Sequence, residues 1–181
     1  MSPANVSPEV RFKRLTRSNW RDHDPTGRHL ICIDPKGTEY SLTGDGWVDI
    51  IMKPQLVPEV PLDVAELFEA ARGALCYGYY FYPLYTLGTD QLFRAGEAAV
   101  AHRCKELEAP RKWGILDKRL KWLRASNVIS EEVYQRFDAG RRLRNTSSHA
   151  TSQHIFDQSW AVGSVGTTAE LINALWCTGP I

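Results

Sequence analysis

The stretch Ser130-Glu131-Glu132-Val133-Tyr134-Gln135-Arg136-Phe137-Asp138-Ala139-Gly140-Arg141-Arg142-Leu143-Arg144-Asn145-Thr146-Ser147-Ser148-His149 carries its own start signal and a single apolar side. Ser130 is placed as an N-cap, and Glu131 and Glu132 sit in the first turn, where the helix dipole favours negative charge. Val133, Phe137 and Leu143 follow at helical spacing, and the end of the segment turns basic. A capped amphipathic helix of this length predicts a fold built from helices packed on one another.

Working back from it, Ile115, Leu116, Leu120 and Leu123 predict a shorter helix that stops near Asn127. Leu92, Phe93, Gly96, Ala99, Val100, Cys104 and Leu107 mark a longer one that ends before Pro110. Val64, Leu67, Phe68, Ala71 and Leu75 share one face of another, opened by Asp63 and closed at the bend around Gly78 to Pro83. At the other end of the chain, Thr167-Thr168-Ala169-Glu170 reads as a capping box that opens a short helix through Leu171, Ile172, Leu175 and Trp176. Before residue 61 the pattern changes. His29 to Ile33, Thr38 to Thr43 and Trp47 to Met52 read as strands around Asp34-Pro35-Lys36-Gly37 and Gly44-Asp45-Gly46, and Pro54 to Pro61 closes them off. Residues 1–27, with three prolines, read as a loosely ordered lead-in with basic residues from Arg11 to Arg21. The expected fold is mainly α: a four- to five-helix bundle over 61–181, with an N-terminal arm and a small β-hairpin or meander over 1–60.

The chain has 181 residues, enough for one domain with a real core, and its hydrophobic content of 43% is ordinary for a globular protein. Net charge is only +1, but its distribution is uneven. Residues 22–70 hold ten acids and three Lys/Arg, a balance of −7, whereas residues 100–149 hold twelve Lys/Arg and six acids, a balance of +6. A basic half suits a phosphate backbone, though alternating charge on a solvated helix face gives the same count. Cys32, Cys76, Cys104 and Cys177 are scattered, without metal-ligand spacing, and read as buried thiols in a reducing cytoplasm. The first eight residues contain no apolar run of the kind a secretory signal needs. Residues 73–89 carry no charge, but Gly73, Gly78, Pro83 and five tyrosines from Tyr77 to Tyr85 make them core rather than a membrane span. Those tyrosines have a second use, as platforms for bases, against lining a core or a dimer seam.

The segment Leu143 to Ala150, with Arg144-Asn145 and His149 five positions after the arginine, resembles the signature of the HEPN superfamily. Its position late in a helical domain, after Leu116-Asp117-Lys118-Arg119-Leu120, adds to the resemblance over about two-thirds of the chain. The resemblance implies a helical bundle that dimerises and cleaves RNA without metal or cofactor, two Arg/His motifs facing one another across the dimer. It implies single-stranded RNA as substrate, and defence, stress response or toxin–antitoxin biology, with an antitoxin or regulatory protein as a further partner. Non-catalytic members that bind nucleotide, RNA or a protein are the alternative. Glu97 is a carried-over candidate, since the family often sets an acidic residue on that helix near the motif. In one branch an antitoxin modifies a tyrosine two residues after the histidine; this chain has Thr151 there.

The chemistry fits those residue types. RNA supplies its own nucleophile, the 2′-hydroxyl, so a base, an acid and a cation for the developing charge suffice. Histidine titrates near neutrality and moves protons; arginine keeps its charge and grips two phosphate oxygens with a planar fork. His149 is therefore assigned acid/base work, Arg144 phosphate and transition-state binding, Asn145 orientation, and Glu97 fixation of the Arg144 fork. The expected products are a 2′,3′-cyclic phosphate and a 5′-hydroxyl. Arg141 and Arg142 are rivals to Arg144, and His154 is a second titrating group or an incidental surface residue. Five positions on an ideal helix turn the side chain by about 140°, so Arg144 and His149 meet only through a long swing, a helix end or a second chain.

Overall fold

Trp47 and Ile51, four residues apart, lie fully buried on one side of a short helix, where sequence reading expects a strand. The segment Gly44–Met52 (α1) is opened by Thr43, whose side chain accepts from the Gly46 amide at 3.1 Å. Val48 and Met52 are left exposed. Burial thus follows a period near 3.6, and the β-branched residues Val48, Ile50 and Ile51 do not make it a strand. The computed structural model describes residues 12–27, 31–33, 36–110, 112, 114–147 and 156–177. Among them, Ile31–Ile33 (β1) pairs antiparallel with Glu39–Ser41 (β2), and a 3-10 turn covers Pro25–Gly27.

The helices after residue 61 are Leu62–Tyr77 (α2), Leu84–Glu106 (α3), Leu116–Ala125 (α4), Glu131–Ser147 (α5) and Gln158–Asn173 (α6). The fold is a mainly helical bundle with a small N-terminal hairpin. α3 is central: α2, α4, α5 and α6 all pack on it. Two closures explain themselves locally. α2 meets α3 closely because Gly88 leaves no room for a Cβ, which would sit 2.6 Å from Leu75 Cδ2. α4 ends at Asn127, whose φ of 55° is left-handed backbone that asparagine tolerates well, with the Val128 amide donating back to Leu123 O at 2.9 Å.

One buried cluster runs through the chain from Leu42, Trp47, Ile51 and Val60 into α2, α3, α4, α5 and α6, so packing is continuous across residue 60. Trp47 Nε1 donates to Leu75 O at 2.9 Å, and its ring meets the fully buried Tyr85 edge-on. The segment 54–57 is held from two sides. Buried Arg72 donates to Met52 O and Pro54 O, while Asn173 accepts from the Val57 amide and donates to Gln55 O. Residues 12–27, the described part of the lead-in, are better ordered than its composition predicts. Lys13 Nζ donates to Asn19 O and Asp22 O, and buried Asp24 accepts from the Tyr82 and Thr26 amides, each at 3.0 Å. His23 stacks on Tyr79. Of the five tyrosines, Tyr85 belongs to the core, whereas Tyr77 and Tyr80 are exposed. Among the described residues, no helix is long and apolar enough to cross a membrane.

α6 corrects the second local expectation. It begins at Gln158, nine residues before the capping box, and is capped by Asp157, whose carboxylate accepts from the Trp160 amide at 2.8 Å. Thr167 is an interior residue of that helix. Val162, Gly163, Val165 and Gly166 have low helix propensity. Burial of Ala161, Val165, Ala169 and Ile172 on one side overrides it.

Candidate functional site

α5 starts as its sequence dictates, with Ser130 Oγ accepting from the Val133 amide at 3.2 Å. Val133 and Phe137 then turn into the core, which fixes the rotation of the helix and decides where each later arginine goes. Arg141 and Arg142 both reach back to the buried carboxylate of Asp138. Arg141 donates through Nη2 at 2.6 Å, and Arg142 through Nε at 2.8 Å. Burial alone pushes the Asp138 carboxyl up, but these two guanidinium groups outweigh it and hold it below the usual carboxylate value.

Arg144, in the last turn of α5, leaves that group and crosses to α3, where Nη1 donates to Glu97 Oε2. The two residues are 47 positions apart, and both are about one-third exposed. The three arginines are thus divided: two serve Asp138, and Arg144, which the following Asn145 favours in the sequence, is carried to the surface between helices. Asn145 is exposed on the same turn. His149, Thr151 and His154 lie outside the described residues.

Asp90 is a neighbour that sequence reading misses. It lies seven residues before Glu97 on α3, two turns away on nearly the same face. Burial pushes its carboxyl up, while Arg94 and Arg144 pull it back. The i, i+7 repeat of acids on α3 is the signal that marks it.

Beside the Arg144–Glu97 pair opens a slot of about 830 Å3, floored by α3 and walled by α5 and α6. Leu92, Phe93, Phe137, Leu143 and Leu171 make it largely apolar, and Ser159, Ser164, Thr167 and Thr168 add hydroxyls from α6. Trp160, which sequence reading also passes over, lines it at 42% exposure. Comparison of the chain with family models, with curated proteins and with solved structures yields no match.

Proposed function

We propose that this protein is a metal-independent endoribonuclease of HEPN type, working as a dimer with a composite Arg/His site. The observation that carries the reading is the Arg144–Glu97 pair on the rim of the slot. A carboxylate holding one side of a guanidinium leaves its geometry defined, and a preorganised cation suits the charge that develops on a phosphorane. The basic balance of residues 100–149 gives an RNA strand a favourable approach. In this reading His149 moves the protons, Arg144 binds the scissile phosphate, Asn145 orients it, and defence, stress response or a toxin–antitoxin pair is the setting. Metal independence comes from the family resemblance and is part of the proposal.

The test is cleavage of single-stranded RNA in the presence of a chelator, with wild type, His149→Ala and Arg144→Ala. Cleavage that yields 2′,3′-cyclic phosphate ends and disappears in both variants supports the reading. Cleavage that survives both variants removes it.

A second reading has an observation of its own. The Arg144 charge is already met by Glu97, and an ion pair between α5 and α3 serves a structural tie equally well. In that case the protein is a non-catalytic module for nucleotide, RNA or a protein partner. RNA binding without cleavage by a verified dimer is its signature.

A further inference from the structure

α6 has two stripes. Ala161, Val165, Ala169 and Ile172 are buried, as an ordinary packed helix requires. A second stripe, Trp160, Gly163, Ser164, Thr167 and Thr168, faces the slot and fills no core. Among the described residues, a Cβ built on Gly163 meets nothing within 4 Å. Among the same described residues, the side chains of this stripe line a cleft of about 830 Å3 between the two helices.

Its two ends differ. Arg136 Nη2 of α5 reaches Glu170 Oε2 of α6 at 2.5 Å and bridges the two walls at one end. α6 runs with α3, Phe156 lying at Thr86 and Trp176 at Glu106, whereas α5 runs against α3, Phe137 lying at Gly96 and Gly140 at Phe93, so the later residues of α5 lie beside the earlier ones of α6. Arg144 and Trp160 therefore share the opposite end. Trp160 is backed by Phe156, with ring centroids 5.4 Å apart and an interplanar angle of 14°. Phe156 is buried, and its amide donates to Thr86 Oγ1 of α3 at 3.0 Å. The indole is thus one layer of an anchored stack, half open at the mouth of the slot. From Arg136 to Arg144 the slot runs about 12 Å, at 1.5 Å per residue.

We propose that this slot takes a nucleobase of the RNA strand, its face on Trp160, its edge on the α6 hydroxyls, and its phosphate at the Arg144 end. The link to cleavage rests on the ribonuclease reading above; the binding itself does not. A length of about 12 Å suits one or two nucleotides. A plain hydrocarbon chain uses the apolar floor but leaves the row of hydroxyls without a role. A base uses both, because its faces stack and its edges hydrogen-bond. Hydroxyls donate and accept, so they serve any base, and preference follows from how large a ring the slot admits.

Calorimetric titration of the full chain with adenosine and uridine 5′-monophosphates, with myristate as the apolar control, tests the assignment. Saturable nucleotide binding is expected, weakened about 10-fold by Trp160→Ala and largely kept by Trp160→Phe. Gly163→Leu fills the slot where space is open; it is expected to abolish binding while the thermal midpoint holds or rises. The proposal is overturned if wild type binds neither nucleotide, if both disruptive variants bind as wild type does, or if only myristate saturates the site. RNA cleavage assayed on the same variants separates the two readings. Trp160-dependent nucleotide binding without cleavage keeps the slot and removes the enzyme. Cleavage whose base preference ignores Trp160 and Gly163 keeps the enzyme and removes the slot.

Discussion

Arg144 on α5 donates to Glu97 on α3, and so a residue from the late basic helix is fixed by one from the central helix. Both are about one-third exposed, so the pair contributes at most ~1 kcal/mol to stability after solvent screening. Its larger effect is on position. Glu97→Ala is expected to leave the thermal midpoint within a few degrees of wild type. On the ribonuclease reading, single-turnover RNA cleavage should fall by up to about 100-fold, the scale of a misplaced charge-binding group. Glu97→Gln, which keeps an acceptor oxygen, should lie between the two. Unchanged cleavage in Glu97→Ala would separate Arg144 positioning from catalysis.

Trp47 tests whether the residues before 61 carry the stability of the bundle. Its ring is fully buried against Tyr85, and its indole N–H is bonded to Leu75 O of α2. Trp47→Ala should cost about 3–5 kcal/mol by cavity formation, seen as a lower urea midpoint. Trp47→Phe should cost on the order of 1–2 kcal/mol through the lost hydrogen bond and the smaller ring. A Trp47→Ala midpoint equal to wild type would mean that α1 adds nothing to the cooperative core.

What the sequence made legible was local. Ser130, the acids behind it and the spacing of Val133 and Phe137 place α5 to within a residue of its start. Asn127 marks the end of α4 for the same kind of reason, a backbone conformation that few residues accept. The sequence of α1 points to a strand because Val48, Ile50 and Ile51 carry a strong β preference, and only burial against α2 reveals which of them face inward. The sequence points to a shorter α6 because Gly163, Val165 and Gly166 weaken its helical signal, while Asp157 alone announces its cap. The Arg144–Glu97 contact and the α5–α6 slot span long separations. No periodicity encodes them; the Glu97 expectation came from the family resemblance.

The glycines of the bundle divide by what surrounds them. Gly163 and Gly166 lie inside α6, and among the described residues nothing stands within 4 Å of where a Cβ would go. Alanine at either should stabilise by roughly 0.5–1 kcal/mol, because glycine loses more backbone entropy in a helix. Gly88 is the opposite case: a Cβ there meets Leu75 Cδ2 at 2.6 Å and Ala71 O at 3.2 Å. Gly88→Ala should cost on the order of 1–3 kcal/mol as α2 and α3 are pushed apart. Thermal melting of the three variants checks the signs, and a stabilised Gly88→Ala would contradict the close α2–α3 approach.

Acid should loosen the N-terminal lead-in through Asp24. Burial alone pushes this carboxyl up, but hydrogen bonds led by the Tyr82 and Thr26 amides outweigh it and hold it below the usual carboxylate value. The folded state therefore holds its proton less tightly than the unfolded chain, whose aspartates titrate near pH ~3.9. Stability from these bonds is complete above that value and is lost as pH falls through the lower folded one. Asp24→Asn has no such proton to take up. The gap in thermal midpoint between wild type and Asp24→Asn should be widest near pH 7 and close progressively below about pH 4. Two melting curves that stay parallel down to pH ~2.5 would mean that the Asp24 carboxylate does not hold residues 13–27 against the α2–α3 turn.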